Sequence, residues 1–252
     1  MVHAFIPKIQ NWDELFKDVR KVGSIFFFCL IVKVFVLNQY FWEEIVMIMT
    51  DKKSSVSESK CSNAVVIPAD PAPLGLVGLG VAALVLAAMY LGLVDIAMRS
   101  LLVPWVLFFG ATAQLIAGTI EFKRNNIFGG TVFTTYAMAM YAIGLTASII
   151  SFTEVGFDIL YYGFGLIAIL IFTLIATMCS IMTNKMFVSI LVFVDIALIS
   201  LIAHYFFGSS AFLAGVFLLL TSLASFYTAA AVLFNIMAGK QVFPLGKALW
   251  KP

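Results

Sequence analysis

From residue 74 onward the chain alternates long apolar runs with short polar connections. Each run has close to the roughly 20 residues that a helix needs to cross a membrane. The runs are residues 74–94, 101–120, 131–151, 157–180, 186–207 and 211–236. Glycine and alanine recur inside them, which is typical of helices that approach one another closely in a membrane. The pattern predicts an all-α polytopic membrane protein with six transmembrane helices.

The first 69 residues do not follow this pattern. Their apolar run from Ile25 to Leu37 is broken by Lys33 and, at about 13 residues, is short for a span. It fits a surface-lying helix, an extra membrane segment, or a stretch outside a natural protein that starts near Met49. Residues 50–63 are rich in serine and lysine, a composition typical of disorder.

The chain therefore divides into three predicted parts. Residues 1–69 are an N-terminal extension, partly apolar and then polar and disordered. Residues 70–246 are the six-helix transmembrane domain, and residues 247–252 are a tail.

Lysine and arginine set the predicted orientation. From residue 50 onward the chain has ten of them, and nine precede the first run, lie in the second or fourth connection, or lie in the tail. Arg99 alone falls on the opposite side. Because cytoplasmic loops carry an excess of these residues, both termini are predicted to be cytoplasmic.

Composition excludes several classes of function. The chain is 63% hydrophobic and 11% charged, whereas a soluble domain is about one quarter charged. Cys29, Cys61 and Cys179 show no metal or redox spacing, and no phosphate-binding or dinucleotide glycine motif occurs. No basic patch is interleaved with aromatic residues for nucleic acid. Without a cluster of catalytic groups, the sequence predicts no enzyme, no metal and no cofactor.

The first helix is predicted to start within Asp70-Pro71-Ala72-Pro73-Leu74-Gly75-Leu76. Asp70 can accept hydrogen bonds from the free N–H groups of a first turn. Pro71 fits the first helical position, and Pro73 is tolerated in the first turn. A helix N-terminus also attracts anions, so this start is either a simple cap or a place that a carboxylate solute visits.

Amide side chains lie inside two of the predicted spans. Gly110, Gln114 and Gly118 share one helix face, which predicts close helix packing with Gln114 either tying helices together or lining a solute path. Tyr227 and Asn235 share a face of the sixth span, where they either line the same path or meet interfacial water.

Hydroxyl groups and one carboxylate complete the candidates. Thr135 and Tyr136 belong to a cluster of hydroxyl side chains at the start of the third span. Asp195 is the carboxylate placed well inside a span, where ionised side chains are costly and usually functional. It either exchanges a proton with a permeating acid or is a neutral hydrogen-bond donor in the structure.

These landmarks, in this order, resemble the acetate uptake transporter family, the SatP/YaaH-like acetate and succinate permeases. Residues 70–76 (DPAPLGL) are similar to the family's NPAPLGL signature, with Asp70 in place of Asn. Residues 109–114 (FGATAQ) are similar to its FGGxxQ segment, and residues 239–246 (GKQVFPLG) to its closing segment. The resemblance covers residues 70–246.

The resemblance implies a homohexamer of six-helix protomers in the plasma membrane, with a separate path through each protomer. It implies transport of acetate and related small carboxylates, succinate included, and this transport is often described as proton-linked. The narrow part of the path is implied at Leu79, which replaces an aromatic residue, at Tyr136, and near Phe193 and Asp195.

Several alternatives stay open at this point. A channel and a proton symporter both fit the pattern. So do two other classes, a membrane sensor or scaffold that keeps the fold without transporting, and a channel for a small neutral solute such as ammonia.

Overall fold

The computed structural model describes residues 68–152 and 158–250, with residues 96–98 described for their backbone alone. The predicted extension up to residue 67 lies outside the described residues. Among the described residues, six helices are long and apolar enough to cross a membrane: α1 (Ala72–Tyr90), α2 (Arg99–Lys123), α3 (Ile127–Phe152), α4 (Leu160–Ser180), α5 (Lys185–Phe207) and α6 (Phe212–Ala238). The described residues contain no strand. The predicted all-α fold with six spans is confirmed, whereas the side of the termini and the domain limits stay predictions.

The start of α1 differs from the prediction by one residue. The backbone N–H of Ala72 donates to Asp70 Oδ1 at 2.9 Å, so the carboxylate closes a turn around Pro71. The helix begins at Ala72, and Pro71 occupies the cap instead of the first helical position. Pro73 lies in the first turn, where it displaces no hydrogen bond.

Helix α1 is the central helix of the fold and packs most extensively against α6 and α2. A Cβ atom on Gly75 would lie 2.6 Å from the ring of Phe133 in α3. The glycine therefore lets the ring lie directly on the α1 backbone. On the α6 side, the Ser222 hydroxyl donates to the Gly80 carbonyl at 2.7 Å.

Helix α2 is irregular where the prediction expects a uniform helix. A 3₁₀ segment, Ile96–Leu102, begins before α2 and includes its first residues. Val106–Ala113 form a π-helix, and Gln114–Lys123 form the regular α-helical turns that follow. π segments are rare and frequent at functional sites. The Thr112 hydroxyl bonds the Leu107 carbonyl at 2.9 Å across this segment.

The remaining helices pack in an uneven way. Helix α5 lies between α4 and α6, and α3 packs on α2. Helices α3 and α4 scarcely touch, although a connection joins them directly. The gap that they leave borders a large cavity.

Candidate functional site

The large cavity has a volume of about 670 Å³ and lies among α1, α3, α4, α5 and α6. Its walls are mainly aliphatic, and they include the predicted residue Leu79 together with Leu86 and Leu198. Met138 and Ile149 line the α3 side and are exposed, so the cavity opens sideways along the gap between α3 and α4.

Tyrosine hydroxyls supply much of the polarity in the large cavity. At the end near the α1 C-terminus, the Tyr90 and Tyr205 hydroxyl oxygens lie 3.2 Å apart. The rings of Tyr162 and Tyr205 meet edge to face, with centroids 5.1 Å apart. Asp158 also lines the cavity there. This end therefore offers hydroxyl donors and one carboxylate in walls that are mainly apolar.

The small cavity lies at the opposite end of α1 and has a volume of about 470 Å³. Its lining combines apolar side chains with polar and charged ones, and the charged ones are Asp70, Glu121 and Arg124. The buried Glu121 accepts a hydrogen bond from Asn126 Nδ2 at 3.0 Å, and Arg124 Nε lies 3.8 Å from the same carboxylate oxygen. Arg124 also donates to the Pro68 carbonyl. The charged groups are thus held by the protein itself.

About one to three helical turns separate the two cavities along the helices that line both. In α1, Ala72 lines the small cavity and Leu79 the large one, a rise of about 10 Å over seven residues. In α3 the corresponding residues are Phe133 and Tyr136, which are about 4.5 Å apart along the axis.

Buried apolar side chains fill the space between the cavities. Leu76 and Ile190 are 1% and 2% exposed, and with Phe133 they belong to one core cluster. We call Leu76, Phe133 and Ile190 the apolar plug. In α1 and α5, Leu76 and Ile190 lie between residues that line the small cavity and residues that line the large one, and Phe133 borders the small cavity.

Tyr136 stands at the large-cavity side of the plug, as does Leu79. Its hydroxyl donates to Thr173 Oγ1 of α4 at 3.1 Å, and its ring meets the edge of Phe172, with centroids 6.1 Å apart. The structure therefore brings Leu79 and Tyr136 together in one cavity and ties Tyr136 across the gap to α4.

Phe193 and Asp195 lie elsewhere in α5 and line neither cavity. Asp195 is 6% exposed and accepts a 2.7 Å hydrogen bond from the Thr177 hydroxyl of α4. Its Oδ1 atom has no hydrogen-bond partner among the described residues. The Phe193 ring faces α6, with its centroid 6.1 Å from that of Phe217.

Gln114 is fully buried, and neither of its amide atoms has a partner among the residues that the structure describes. The neighbouring turn is tight, because a Cβ atom on Gly118 would lie 2.3 Å from Thr134 Oγ1. Thr134 Oγ1 is itself buried without a partner. Buried polar groups without partners are costly, so this contact between α2 and α3 suits a bound water or a polar solute. Thr135 is half-buried and lines neither cavity.

The polar atoms of Tyr227 and Asn235 form hydrogen bonds with the C-terminal segment. Asn235 Oδ1 accepts from the backbone N–H groups of Val242 and Phe243 at 2.6 and 2.9 Å, and its Nδ2 donates to the Phe243 carbonyl. The Tyr227 hydroxyl donates to the Pro244 carbonyl at 2.9 Å. Asn235 still lines the small cavity, whereas Tyr227 lines neither cavity.

Sequence reasoning did not assign a role to Thr173 and Thr177. Both lie on one face of an otherwise apolar helix, one turn apart. The sequence signal for a role is the spacing itself, because hydroxyl side chains one turn apart on a membrane helix can form hydrogen bonds to neighbouring helices. Glu121, Arg124 and Asn126 were also unassigned, although they cluster at the end of a span.

Known proteins resemble this chain in sequence. The sequence model of the GPR1/FUN34/yaaH family matches residues 58–245. Acetate permease A of Emericella nidulans is 28% identical over 202 residues, which are 73% of this chain and 68% of that protein. The succinate-acetate/proton symporter SatP of Escherichia coli is 40% identical over 68 residues, which span 27% of this chain and 35% of the symporter.

A solved structure shows the same fold. The bacterial acetate channel SatP superposes with a TM-score of 0.65 at 25% sequence identity. The match covers 71% of this chain and 99% of that one. The resemblance drawn from the sequence motifs is confirmed.

Proposed function

Since the chain belongs to the GPR1/FUN34/yaaH family, we propose that it is a multi-pass membrane transporter or channel for acetate and related small carboxylates, succinate included. One observation carries this proposal most directly. A polar cavity and an apolar cavity lie on opposite sides of a short apolar plug, with Leu79 and Tyr136 at the plug. The named relatives move acetate or succinate, and none of their names denotes an enzyme.

The chemistry of the two cavities suits a small amphipathic anion. Moving an isolated carboxylate into an apolar environment is very unfavourable. The small cavity offers a guanidinium and amide groups, and the large cavity offers tyrosine hydroxyls. The methyl group of acetate can lie against aliphatic walls. Such a site can accept the anion at one end and pass it, or its neutral acid, through a short barrier.

The proposal extends to location and assembly. We place the protein in the plasma membrane with both termini in the cytoplasm, as a homohexamer in which each protomer has its own path. The positive-inside distribution of Lys and Arg supports the orientation, and the family resemblance supports the hexamer. The exposed apolar side chains of α4, such as Phe164 and Ile171, suit lipid or a neighbouring subunit.

Uptake of radiolabelled acetate into proteoliposomes tests the function. We expect uptake above that of empty liposomes, and competition by unlabelled succinate. Uptake of ammonia without uptake of acetate would favour a neutral-solute channel. Uptake of neither solute, with or without a pH gradient, would favour a sensor or scaffold.

Proton coupling is the finer part of the proposal, and Asp195 is its candidate. The residue lies near the middle of α5, buried against α4. We expect Asp195→Asn, which keeps the shape and an acceptor for Thr177, to abolish accumulation of acetate driven by an inward proton gradient. Downhill exchange of acetate should persist. Unchanged accumulation in the variant would remove Asp195 from the mechanism.

A further inference from the structure

Thr173 of α4 is a fully buried polar side chain to which the proposed path assigns no role. It lies where α4 faces the hydroxyl of Tyr136, across the gap that α3 and α4 leave between them. A threonine in an apolar helix needs one acceptor for its own hydrogen. Thr173 finds that acceptor in the Ile169 carbonyl one turn earlier, at 2.8 Å.

The direction of the Tyr136–Thr173 hydrogen bond follows from this arrangement. A hydroxyl group has one hydrogen to donate, and Thr173 donates its hydrogen to Ile169. The 3.1 Å contact must therefore use the hydrogen of Tyr136, with Thr173 Oγ1 as the acceptor. In this state the single donor of Tyr136 is occupied by α4.

Tyr136 is also part of the wall of the large cavity, beside Leu79. A carboxylate at that position is a stronger acceptor than a neutral hydroxyl, because hydrogen bonds to ionised groups are shorter and roughly twice as strong. Two acceptors can thus compete for one hydrogen. Leu79 and Leu166, which line the same cavity, have no side-chain donor, and Thr221, which also lines it, donates its hydrogen to the Phe217 carbonyl.

We propose that Thr173 is a positioning residue whose Oγ1 accepts the hydrogen of the Tyr136 hydroxyl until a solute replaces it as the acceptor. The Tyr136 hydroxyl bonds Thr173 when the cavity is empty and turns to the carboxylate of the solute when it arrives beside Leu79. This inference rests on the proposed transport of small carboxylates. The competition weakens binding at the narrow part of the path, and conduction requires that a bound solute can also leave.

The test is the acetate concentration that gives half-maximal uptake in proteoliposomes. Thr173→Val keeps the shape of the side chain and removes the acceptor, so we expect a half-saturating concentration roughly 2- to 10-fold lower, the size of one hydrogen bond. Tyr136→Phe should raise it. Thr173→Ser restores the acceptor and should behave as the wild type.

The double variant Tyr136→Phe/Thr173→Val separates this role from a structural one. Without the tyrosine hydroxyl, removal of the threonine acceptor should have no further effect on half-saturation. An unchanged or raised half-saturating concentration in Thr173→Val would overturn the inference. So would an equal decrease in the presence and absence of the Tyr136 hydroxyl.

Two controls keep the outcomes distinct. If Thr173→Val does not yield folded protein by gel filtration, Thr173→Ala carries the same prediction, because it too removes the acceptor. Absence of acetate uptake by the wild type would overturn the proposed function itself. Normal uptake by the wild type with no shift in the Thr173 variants would overturn the inference about Thr173 alone.

Discussion

The two cavities share the apolar plug but are built from different chemistry. The large cavity combines aliphatic walls with tyrosine hydroxyls, such as those of Tyr90 and Tyr162. The small cavity places the guanidinium of Arg124 among the carboxylates of Asp70 and Glu121 and several amide groups. Charge is thus concentrated on one side of the plug.

The difference shows where a permeating anion would lose its water. In the small cavity, fixed charges and amides can replace part of the hydration shell. In the large cavity, an anion depends on a few hydroxyl donors, and an isolated charge there is costly. We therefore propose that the plug and the Tyr136 hydroxyl mark the step at which the solute exchanges polar surroundings for apolar ones.

Truncation of a side chain of the apolar plug should have the largest effect on the separation between the two cavities. Phe133→Ala removes the ring that lies on the Gly75 backbone and borders the small cavity. We expect destabilisation of about 3–5 kcal/mol, as for other buried Phe→Ala changes, and a rise in uptake of propionate and butyrate relative to acetate. Thermal unfolding in detergent and uptake competition measure the two effects.

Phe212→Ala, at an exposed position of α6, is the matched control and should change neither property. If Phe133→Ala leaves the selectivity among carboxylates unchanged, Phe133 is not part of the barrier between the cavities.

Removing the positive charge of the small cavity should have a smaller effect. Arg124→Gln leaves the carboxylates of Asp70 and Glu121 facing the incoming anion. We expect the half-saturating acetate concentration to rise about 2- to 5-fold, in keeping with the modest strength of partly exposed charge interactions. The rise should shrink at high ionic strength, because salt screens such interactions.

Lys123→Gln makes the same change in net charge at the adjacent residue, which does not line the small cavity. It should leave half-saturation close to that of the wild type. Equal effects of the two variants would mean that net charge matters and the position of Arg124 does not.

The smallest expected effect is a decrease, and not an increase, in the half-saturating acetate concentration. Asp70→Asn keeps a side-chain oxygen for the Ala72 N–H and removes one negative charge. We expect normal folding and a half-saturating acetate concentration up to about 2-fold lower from the small-cavity side. Initial rates in membrane vesicles of each orientation measure this.

Asp158→Asn is its counterpart at the large cavity, where Asp158 likewise accepts from a backbone N–H two residues later. It should leave affinity from the small-cavity side unchanged. A higher half-saturating concentration in Asp70→Asn would contradict the idea that this carboxylate repels acetate.

Much of the fold could be predicted from the sequence because membrane spans are encoded locally. Length and hydropathy place α1 and α3–α6 to within a few residues. The π segment of Val106–Ala113 could not be predicted, because it depends on how α2 packs against its neighbours. Tertiary packing also determines that α3 and α4 lie apart, and the hydrophobic periodicity of the sequence does not predict this separation.

The position of a side chain in the candidate site could be predicted from the sequence only where the residue had one evident role. Leu79 and Tyr136, which the family resemblance assigns to the narrow part of a path, both line the large cavity, and their role in a path stays a prediction. Asn235 has a polar side chain that suits a path, but its hydrogen bonds to residues 242–243 arise from a chain reversal that the sequence pattern does not reveal. Thr173 was overlooked because threonine is unremarkable in an apolar helix until its partner is known.

The most direct test of the account compares two identical substitutions in α1. Leu79→Trp places a large ring where the large cavity meets the plug, whereas Leu84→Trp places it on an exposed part of the same helix. We measure the initial rate of radiolabelled acetate uptake in proteoliposomes at matched protein content. We expect a several-fold lower rate of uptake for Leu79→Trp, because the added ring narrows the cavity beside the plug, and a rate near that of the wild type for Leu84→Trp. Equal rates for the two variants would contradict a path through these cavities.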